Sequence, residues 1–390
     1  MAKRPQRRRT NRAGGADLAL PALSSLTDLP DLGKLRASER QLQSFEQACE
    51  RLETQELVPR DQLAMGCVVR LDRSYPAVRL ASGVVRAEFA AQLTKGSFSR
   101  VAVGDWVCLR VPDDHDMALI QEVLPRESDI ARWKGGARGE RQTLAANVDV
   151  VLVVQALGPD LVSCDRVARS AVVARDCGAK VAVVLTKADR AGAELLARDL
   201  TRLRTVLGDD VSIAVTTAHG SQDEDALEAQ ARAHGAAWGN DGVRSLVPEQ
   251  TVAIMLGESG AGKSTLLNAL LGREALETGA VRERDDAGRH TTVARRMVSL
   301  PGAGVIVDEP GLRSLPMVGH ERGLALVFPE ISEAARGCRF RDCTHTHEPG
   351  CEVLARAGAG AFAPERLDAY LLLAREMRES ATSLDPDVVI

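Results

Sequence analysis

Aromatic side chains, apolar runs of membrane length and any large excess of one charge are all scarce in this sequence. Aromatics make up 3% of the 390 residues, as six Phe, three Trp and two Tyr, so few side chains are available to stack on nucleobases. The longest apolar stretches, such as VDVVLVVQAL at 148–157, reach about half of the ~20 residues a spanning helix needs. The start is basic and lacks an apolar signal core. A soluble, cytoplasmic protein without membrane contact is therefore expected. The net charge of −4 gives by itself no pointer to nucleic acid. Disulfides are not expected either. Of eight cysteines, Cys49, Cys67, Cys108, Cys164 and Cys177 are scattered, whereas Cys338, Cys343 and Cys351 fall within fourteen residues. In a chain with no export signal such clustering favours a metal. No repeat of fixed period is visible.

What is present divides the chain. Residues 1–36 open with Lys3, Arg4, Arg7, Arg8, Arg9 and Arg12 and no acid among them. They read as a flexible basic arm, which either binds phosphate backbones or is simply a solvated tail. Residues 37–61 have helix formers with apolar residues at helical spacing. From 62 to 128 short alternating β-branched segments are punctuated by Gly, Pro, Asp and Ser, the pattern of a small antiparallel barrel. It can be OB-like or SH3-like, and OB barrels often bind oligonucleotides. Its aromatics are few (Tyr75, Phe89, Phe98, Trp106), and Trp106 reads as core rather than as a stacking platform.

Over 129–318 the pattern becomes α/β. The strands VDVVLVVQAL, KVAVVLT, VSIAVTT, TVAIML and GVIVDEPG alternate with amphipathic helices, which predicts a mostly parallel sheet covered on both faces. Residues 319–390 read as helical apart from a Cys/His knot, with a last helix opened by Pro364. The chemistry of an α/β unit belongs in loops at the carboxyl ends of its strands.

GESGAGKST at 257–265 has the phosphate-loop pattern between a strand and an apolar helix. Backbone amides of Gly257, Glu258, Ser259, Gly260, Ala261, Gly262 and Thr265 would wrap phosphates, helped by the positive end of the helix. Lys263 would reach the β and γ phosphates, and the Ser264 hydroxyl would bind Mg²⁺. Asp308, ending the last strand, suits an acid that holds Mg²⁺ through water, and the Gly311 amide could sense the γ phosphate. Between them GRHTTV offers Thr291 or Thr292 to complete the Mg²⁺ shell in a switch segment.

LTKAD at 185–189 looks like the guanine-reading loop of a GTPase, with Asp189 accepting from the base and the Lys187 stem lying along it. It precedes the phosphate loop, the reverse of the ordinary order. The sequence thus resembles the circularly permuted GTPases. Two positions depart from that pattern. Thr186 stands where the asparagine is usual, removing an amide that would brace the site. The second base-contacting loop aligns with Thr216 and Thr217 rather than Ser-Ala.

CRFRDCTHTHEPGC gives C-x4-C-x-H-x5-C, with Cys338, Cys343, His345 and Cys351 as ligands of one structural Zn²⁺ and His347 as a competitor outside the set. Barrel, permuted GTPase and knot, in this order, resemble the RsgA (YjeQ) family of small-ribosomal-subunit biogenesis GTPases. The likeness rests on VAVGDWV, LTKAD, GESGAGKST, GRHTT, DEPG and the knot, and covers about residues 62–378. It implies GTP/GDP and Mg²⁺ as ligands, ribosome-stimulated GTP hydrolysis in 30S maturation, the 30S subunit with its 16S rRNA as partner, and a monomer. Leu312 and Arg313 follow Gly311 where many GTPases place a water-orienting glutamine. His290 is nominated instead, its other reading being a capping or surface histidine. Two further classes stay open: a P-loop ATPase or kinase, and a zinc-dependent RNA-binding module whose P-loop only senses nucleotide.

Overall fold

The computed structural model describes residues 28–72, 75–94, 101–112, 117–134, 140–217, 223–273, 295–309, 317 and 319–384. His290, Thr291, Thr292 and Gly311 lie outside them, as do residues 1–27 of the expected arm and Phe98.

Helix α1 (Glu39–Gln55) is started by Ser38, whose side chain accepts from the Gln41 amide while the Gln41 side chain accepts from the Ser38 amide. This reciprocal cap satisfies two amides that the first turn cannot. The arm expected to run to residue 36 is packed from residue 28 onward. Leu29 and Leu35 are buried, and Lys34 donates to the carbonyls of Leu300 and Ala303 at 2.8 and 3.2 Å. Three leucines among polar, Pro and Gly residues are too few to announce a packed segment in advance.

Strands β1 (Leu63–Asp72), β2 (Tyr75–Leu80), β3 (Gly83–Phe89), β4 (Trp106–Arg110) and β5 (Ala118–Val123), with the short helix α2 (Ala91–Thr94), form the first sheet region. The ladder β1-β2-β3-β5-β4 closes because β1 also pairs with β4, so the five strands make a barrel. A register shift between Val68 and Arg70 lets β1 bend from one neighbour to the other. Val68, Val78, Leu80, Val107, Leu109 and Ile120 fill the interior. Trp106 is buried between the barrel and α1, as core.

A hairpin not foreseen in the sequence, β6 (Asp129–Lys134) with β7 (Glu140–Ala146), leads into the α/β unit. There β8 (Val150–Ala156), α3 (Cys164–Asp176), β9 (Lys180–Thr186), α4 (Gly192–Leu207), β10 (Ser212–Val215), α5 (Glu224–Ala233), β11 (Ala237–Trp238), α6 (Gly239–Ser245), β12 (Val252–Leu256) and α7 (Lys263–Leu271) follow in turn. Then come β13 (Arg295–Ser299) and β14 (Val305–Asp308). The order across the sheet is β11-β10-β9-β8-β12-β14-β13, parallel except for β13. Strands β8, β9 and β12 are buried over nearly their whole length, which is why they are continuous Val/Ala/Leu/Ile runs. One face packs on α3 and α4, the other on α6 and α7. Strand β13 is not among the strands expected from the sequence. It also pairs with barrel strand β1, so one sheet runs from the α/β unit into the barrel.

The barrel is fixed at its base by a buried ion pair. Asp105, fully buried, receives Arg126 through both carboxylate oxygens at 2.7 and 2.8 Å, and the Ala102 amide at 2.7 Å. Arg126 continues to the Thr143 hydroxyl of the hairpin at 2.6 Å.

The last segment forms α8 (Glu321–Val327), α9 (Pro329–Arg336), α10 (Glu352–Gly358) and α11 (Pro364–Leu384). Gly323 lets α8 meet α3 closely, since a Cβ there would come 2.1 Å from the Val172 carbonyl oxygen. Arg366 of α11 donates to the carbonyls of Val206 and Val327 and to Glu330, with its guanidinium 4.9 Å from the Phe328 ring centroid. Asp176, closing α3, accepts from His320 Nδ1 and from the Gly323 amide, both at 2.9 Å. Burial works against its charge, but these bonds outweigh it and hold the carboxyl pKa below the usual value. A depressed carboxyl stabilises the fold above its unfolded pKa of ~3.9, and the contribution is lost as pH falls through the folded value. Asp176→Asn is therefore expected to lower the melting temperature at neutral pH and to shrink the difference from the parent as pH drops below ~4. Thermal melts across that range would decide; an equal deficit at every pH would rule out a role for the Asp176 charge.

Candidate functional site

The carboxyl ends of β8, β9, β12 and β14 carry the loops singled out in the sequence. The turn after β12 needs glycine at 257, where a Cβ would come 2.4 Å from the Val154 carbonyl oxygen of neighbouring β8. Gly260 and Gly262 take positive φ angles of 81° and 90°, and α7 begins at Lys263. A left-handed residue at that entry turns successive amides toward one concavity, which suits an anion. The Lys263 ammonium lies over the loop, donating to the Gly257 and Glu258 carbonyls. The Glu258 carboxylate pairs instead with Arg166 of α3 at 2.7 Å, so the loop offers backbone and Glu258 turns its side chain to a neighbouring helix. Ser264 is half-buried and Thr265 exposed at the start of α7.

The 186–189 loop lies directly against the 257–265 loop. Thr186, buried, donates its hydroxyl to the Ala261 carbonyl at 2.7 Å. Lys187, in left-handed conformation at φ 59°, reaches the Gly260 carbonyl at 2.5 Å. A non-glycine residue there is strained and persists where its surroundings hold it. Asp189 is exposed at the rim. Its amide donates to Thr217 Oγ1 at 3.2 Å and its Oδ1 accepts from the same hydroxyl at 3.0 Å. Thr216 contributes backbone only, accepting from the Ala188 amide at 3.1 Å and donating to Leu185 at 2.7 Å. The pair named from the sequence thus divides: Thr217 orients the carboxylate and Thr216 fixes the loop.

Asp308 ends β14, which pairs with β12 at Ile254↔Val307, so its carboxyl end is beside the start of the 257–265 loop. The next residue, Glu309, has a side chain only 6% exposed and ion-paired with Arg295 at 2.7 Å. Sequence reasoning missed this pair, and no spacing rule would have found it.

In the helical segment Cys338, Cys343, His345 and Cys351 bring one ligand atom each to within 4.8 Å of one another. Cys338 and Cys351 sulfurs are 3.8 Å apart, and each is 3.5 Å from His345 Nδ1. A tetrahedral zinc site with Zn–S of 2.3 Å and Zn–N of 2.0–2.1 Å has edges of about 3.8 and 3.5 Å, so the four residues fit that ion. Glu348 holds the loop by accepting from the Thr344, Thr346 and His347 amides. His347 itself is exposed and outside the cluster. The five scattered cysteines are buried and form no disulfide.

The family model described as RsgA GTPase matches residues 123–318. The chain belongs to the RsgA GTPase family. A relative from Streptomyces coelicolor, named small ribosomal subunit biogenesis GTPase RsgA, is 37% identical over 323 residues, covering 83% of each chain. Among solved structures, the crystal structure of YjeQ from Thermotoga maritima aligns with a TM-score of 0.57 and 22% identity over 81% of this chain and 99% of that one. The crystal structure of YloQ, titled a circularly permuted GTPase, aligns at 0.55 and 19% over 81% and 96%. These two likenesses carry the fold: barrel, permuted α/β unit and helical segment, in RsgA order.

Against that frame the Thr186 departure takes a different meaning from the expected one. The amide is gone, but the brace remains, made by a hydroxyl on the Ala261 carbonyl. Thr186→Val keeps the shape and removes the donor, leaving a buried carbonyl short of a partner at a cost of about 1–2 kcal/mol. GDP affinity, measured by fluorescence titration, should then fall roughly fivefold to thirtyfold. Unchanged affinity would mean that the two loops bind independently.

Proposed function

We propose that this chain is a Mg²⁺-dependent GTPase acting in maturation of the small ribosomal subunit, where hydrolysis times its release. The observation that carries the reading is the contact of the 186–189 loop with the 257–265 loop, with Asp189 held by Thr217 at the rim. A carboxylate so oriented accepts from guanine N1–H and its 2-amino group, and adenine offers no such pair. The ATPase or kinase reading gives no role to Asp189.

The phosphate loop amides from Gly257 to Thr265 wrap the phosphates, and Lys263 bridges the β and γ groups. Ser264 and Asp308 would hold Mg²⁺, which when bound neutralises charge gathering on the phosphates. Thr291, Thr292 and Gly311 complete the γ-phosphate side in this reading, and His290 orients the water. The four ligands of the Cys/His cluster would hold one structural Zn²⁺, which leaves no open position for chemistry. Residues 1–27, 28–61, 62–128, 129–318 and 319–390 then serve as basic arm, packed lead-in, barrel, GTPase unit and zinc segment. The barrel, the knot and the arm are the surfaces offered to 16S rRNA in the 30S subunit, and the working form is a cytoplasmic monomer.

Hydrolysis of GTP and ATP with and without purified 30S subunits tests this. The expected result is a basal rate of ~10⁻⁴ to 10⁻² s⁻¹, strong GTP-selective stimulation by subunits, and loss of activity in Lys263→Ala. Equal rates with and without subunits would remove the timing role. Separately, the purified protein should carry one zinc per chain, and Cys343→Ser should lose it together with the fold of the helical segment. Structural zinc contributes about 10–16 kcal/mol in finger peptides, as much as a whole domain's stability. A metal-free protein with unchanged melting would exclude the site.

A further inference from the structure

Strand β13 is the antiparallel member of the α/β sheet and is held on both edges. On one side Arg296 stands opposite Asp308, and on the other opposite Arg70 of barrel strand β1. Arg295 faces Leu71 across the second ladder. Arg70 is itself fixed, donating to Asp72 at 2.6 Å, and Asp72 also receives Arg86 at 2.6 Å, all three with side chains no more than 12% exposed. The barrel therefore gives β13 a rigid backing.

Glu309 follows Asp308 directly, and its carboxylate is 6% exposed. A carboxylate so deeply placed is costly unless a cation compensates it. Arg295 does so at 2.7 Å with its own side chain 24% exposed. The pair joins the backbone immediately after Asp308 to the first residue of β13. Loss of Arg295 would remove this cation from a carboxylate that is only 6% exposed and weaken the tie between the end of β14 and β13.

We propose that Arg295 is a positioning residue for Asp308: through Glu309 it locks the acid-bearing end of β14 to a strand anchored on the barrel, and so sets how tightly Asp308 engages the divalent ion. This rests on the reading of Asp308 as the Mg²⁺ acid. Arg295 touches neither nucleotide nor metal. Its influence should appear in the metal dependence of turnover and not in nucleotide affinity measured without metal.

The experiment is steady-state GTP hydrolysis titrated with Mg²⁺, together with GDP affinity in EDTA, for the full chain. The variants are Arg295→Gln, Glu309→Gln, the neutral double variant, Arg295→Lys and Asp308→Asn. Arg295→Gln and Glu309→Gln should each raise the Mg²⁺ concentration for half-maximal rate by about 10–100-fold, as loss of a partner that orients a metal ligand does. GDP affinity in EDTA should stay within about twofold of the parent. Arg295→Lys should recover most of the loss by restoring the charge. The neutral double variant, which leaves no buried charge unpaired, keeps the test sound if a single variant folds poorly, and it should show the same Mg²⁺ shift. Parent-like Mg²⁺ dependence in the double variant would overturn the proposal, as would an equal loss of GDP affinity in EDTA. Failure of the underlying reading looks different: Asp308→Asn would then leave Mg²⁺ dependence unmoved.

Discussion

The parallel ladder of β9, β8 and β12 is the constraint on which the site depends. Its hydrogen bonds place Thr186 at the end of one strand and Gly257 just beyond another, with Val154 of β8 between them. Loops at one edge of a sheet meet whatever order the chain visits them, so a 186–189 loop that precedes the 257–265 loop costs nothing in geometry. What it requires is that the strands lie close enough for loop-to-loop bonds. Gly257, which cannot carry a side chain against the Val154 carbonyl, and the Thr186 hydroxyl on Ala261 meet that requirement from the two sides.

Much of this was legible in the sequence because it is local. The strands buried on both faces are apolar runs, the 257–265 loop is a fixed spacing of glycines before Lys263, and the Cys/His cluster sits within one short segment. The barrel also followed from alternation and turn residues, although its strand order and the parallel pairing of β3 with β5, against an expected antiparallel barrel, did not. What escaped was tertiary. Strand β13 begins Arg-Arg and shows no β alternation, and it exists because ladders on both edges hold it. The hairpin β6–β7, with Asp, Arg, Lys, Glu and Gln spread along both strands, is too polar to stand out. The Arg295–Glu309 pair joins residues fourteen apart whose meeting is set by strand pairing alone. Thr186 was legible as a departure but not as a substitute, since only the position of the Ala261 carbonyl tells whether a hydroxyl can replace an amide.

Three of the less exposed charge pairs sit at seams between units. Asp105 with Arg126 closes the barrel onto the hairpin, Asp176 with His320 closes the helical segment onto α3, and Arg295 with Glu309 closes β14 onto β13. Each is at least mostly buried and hydrogen-bonded to more than one group or backed by a strand, the condition under which an ion pair fixes geometry. Exposed pairs such as Arg166 with Glu258 are worth little by comparison.

The buried apolar residues do not divide where the sequence does. The barrel interior is one cluster and the α6–α7 face of the sheet another, but a third runs unbroken from Leu29, Cys49 and Trp106 beside α1, across α3 and α4, to Cys343, Cys351 and Tyr370 in the last segment. All five segments of the sequence reading thus share one interior. A fragment cut at the grammatical joints would expose a torn face of that interior to water, so the chain's modules are units of reading and its cooperative unit is larger than any of them.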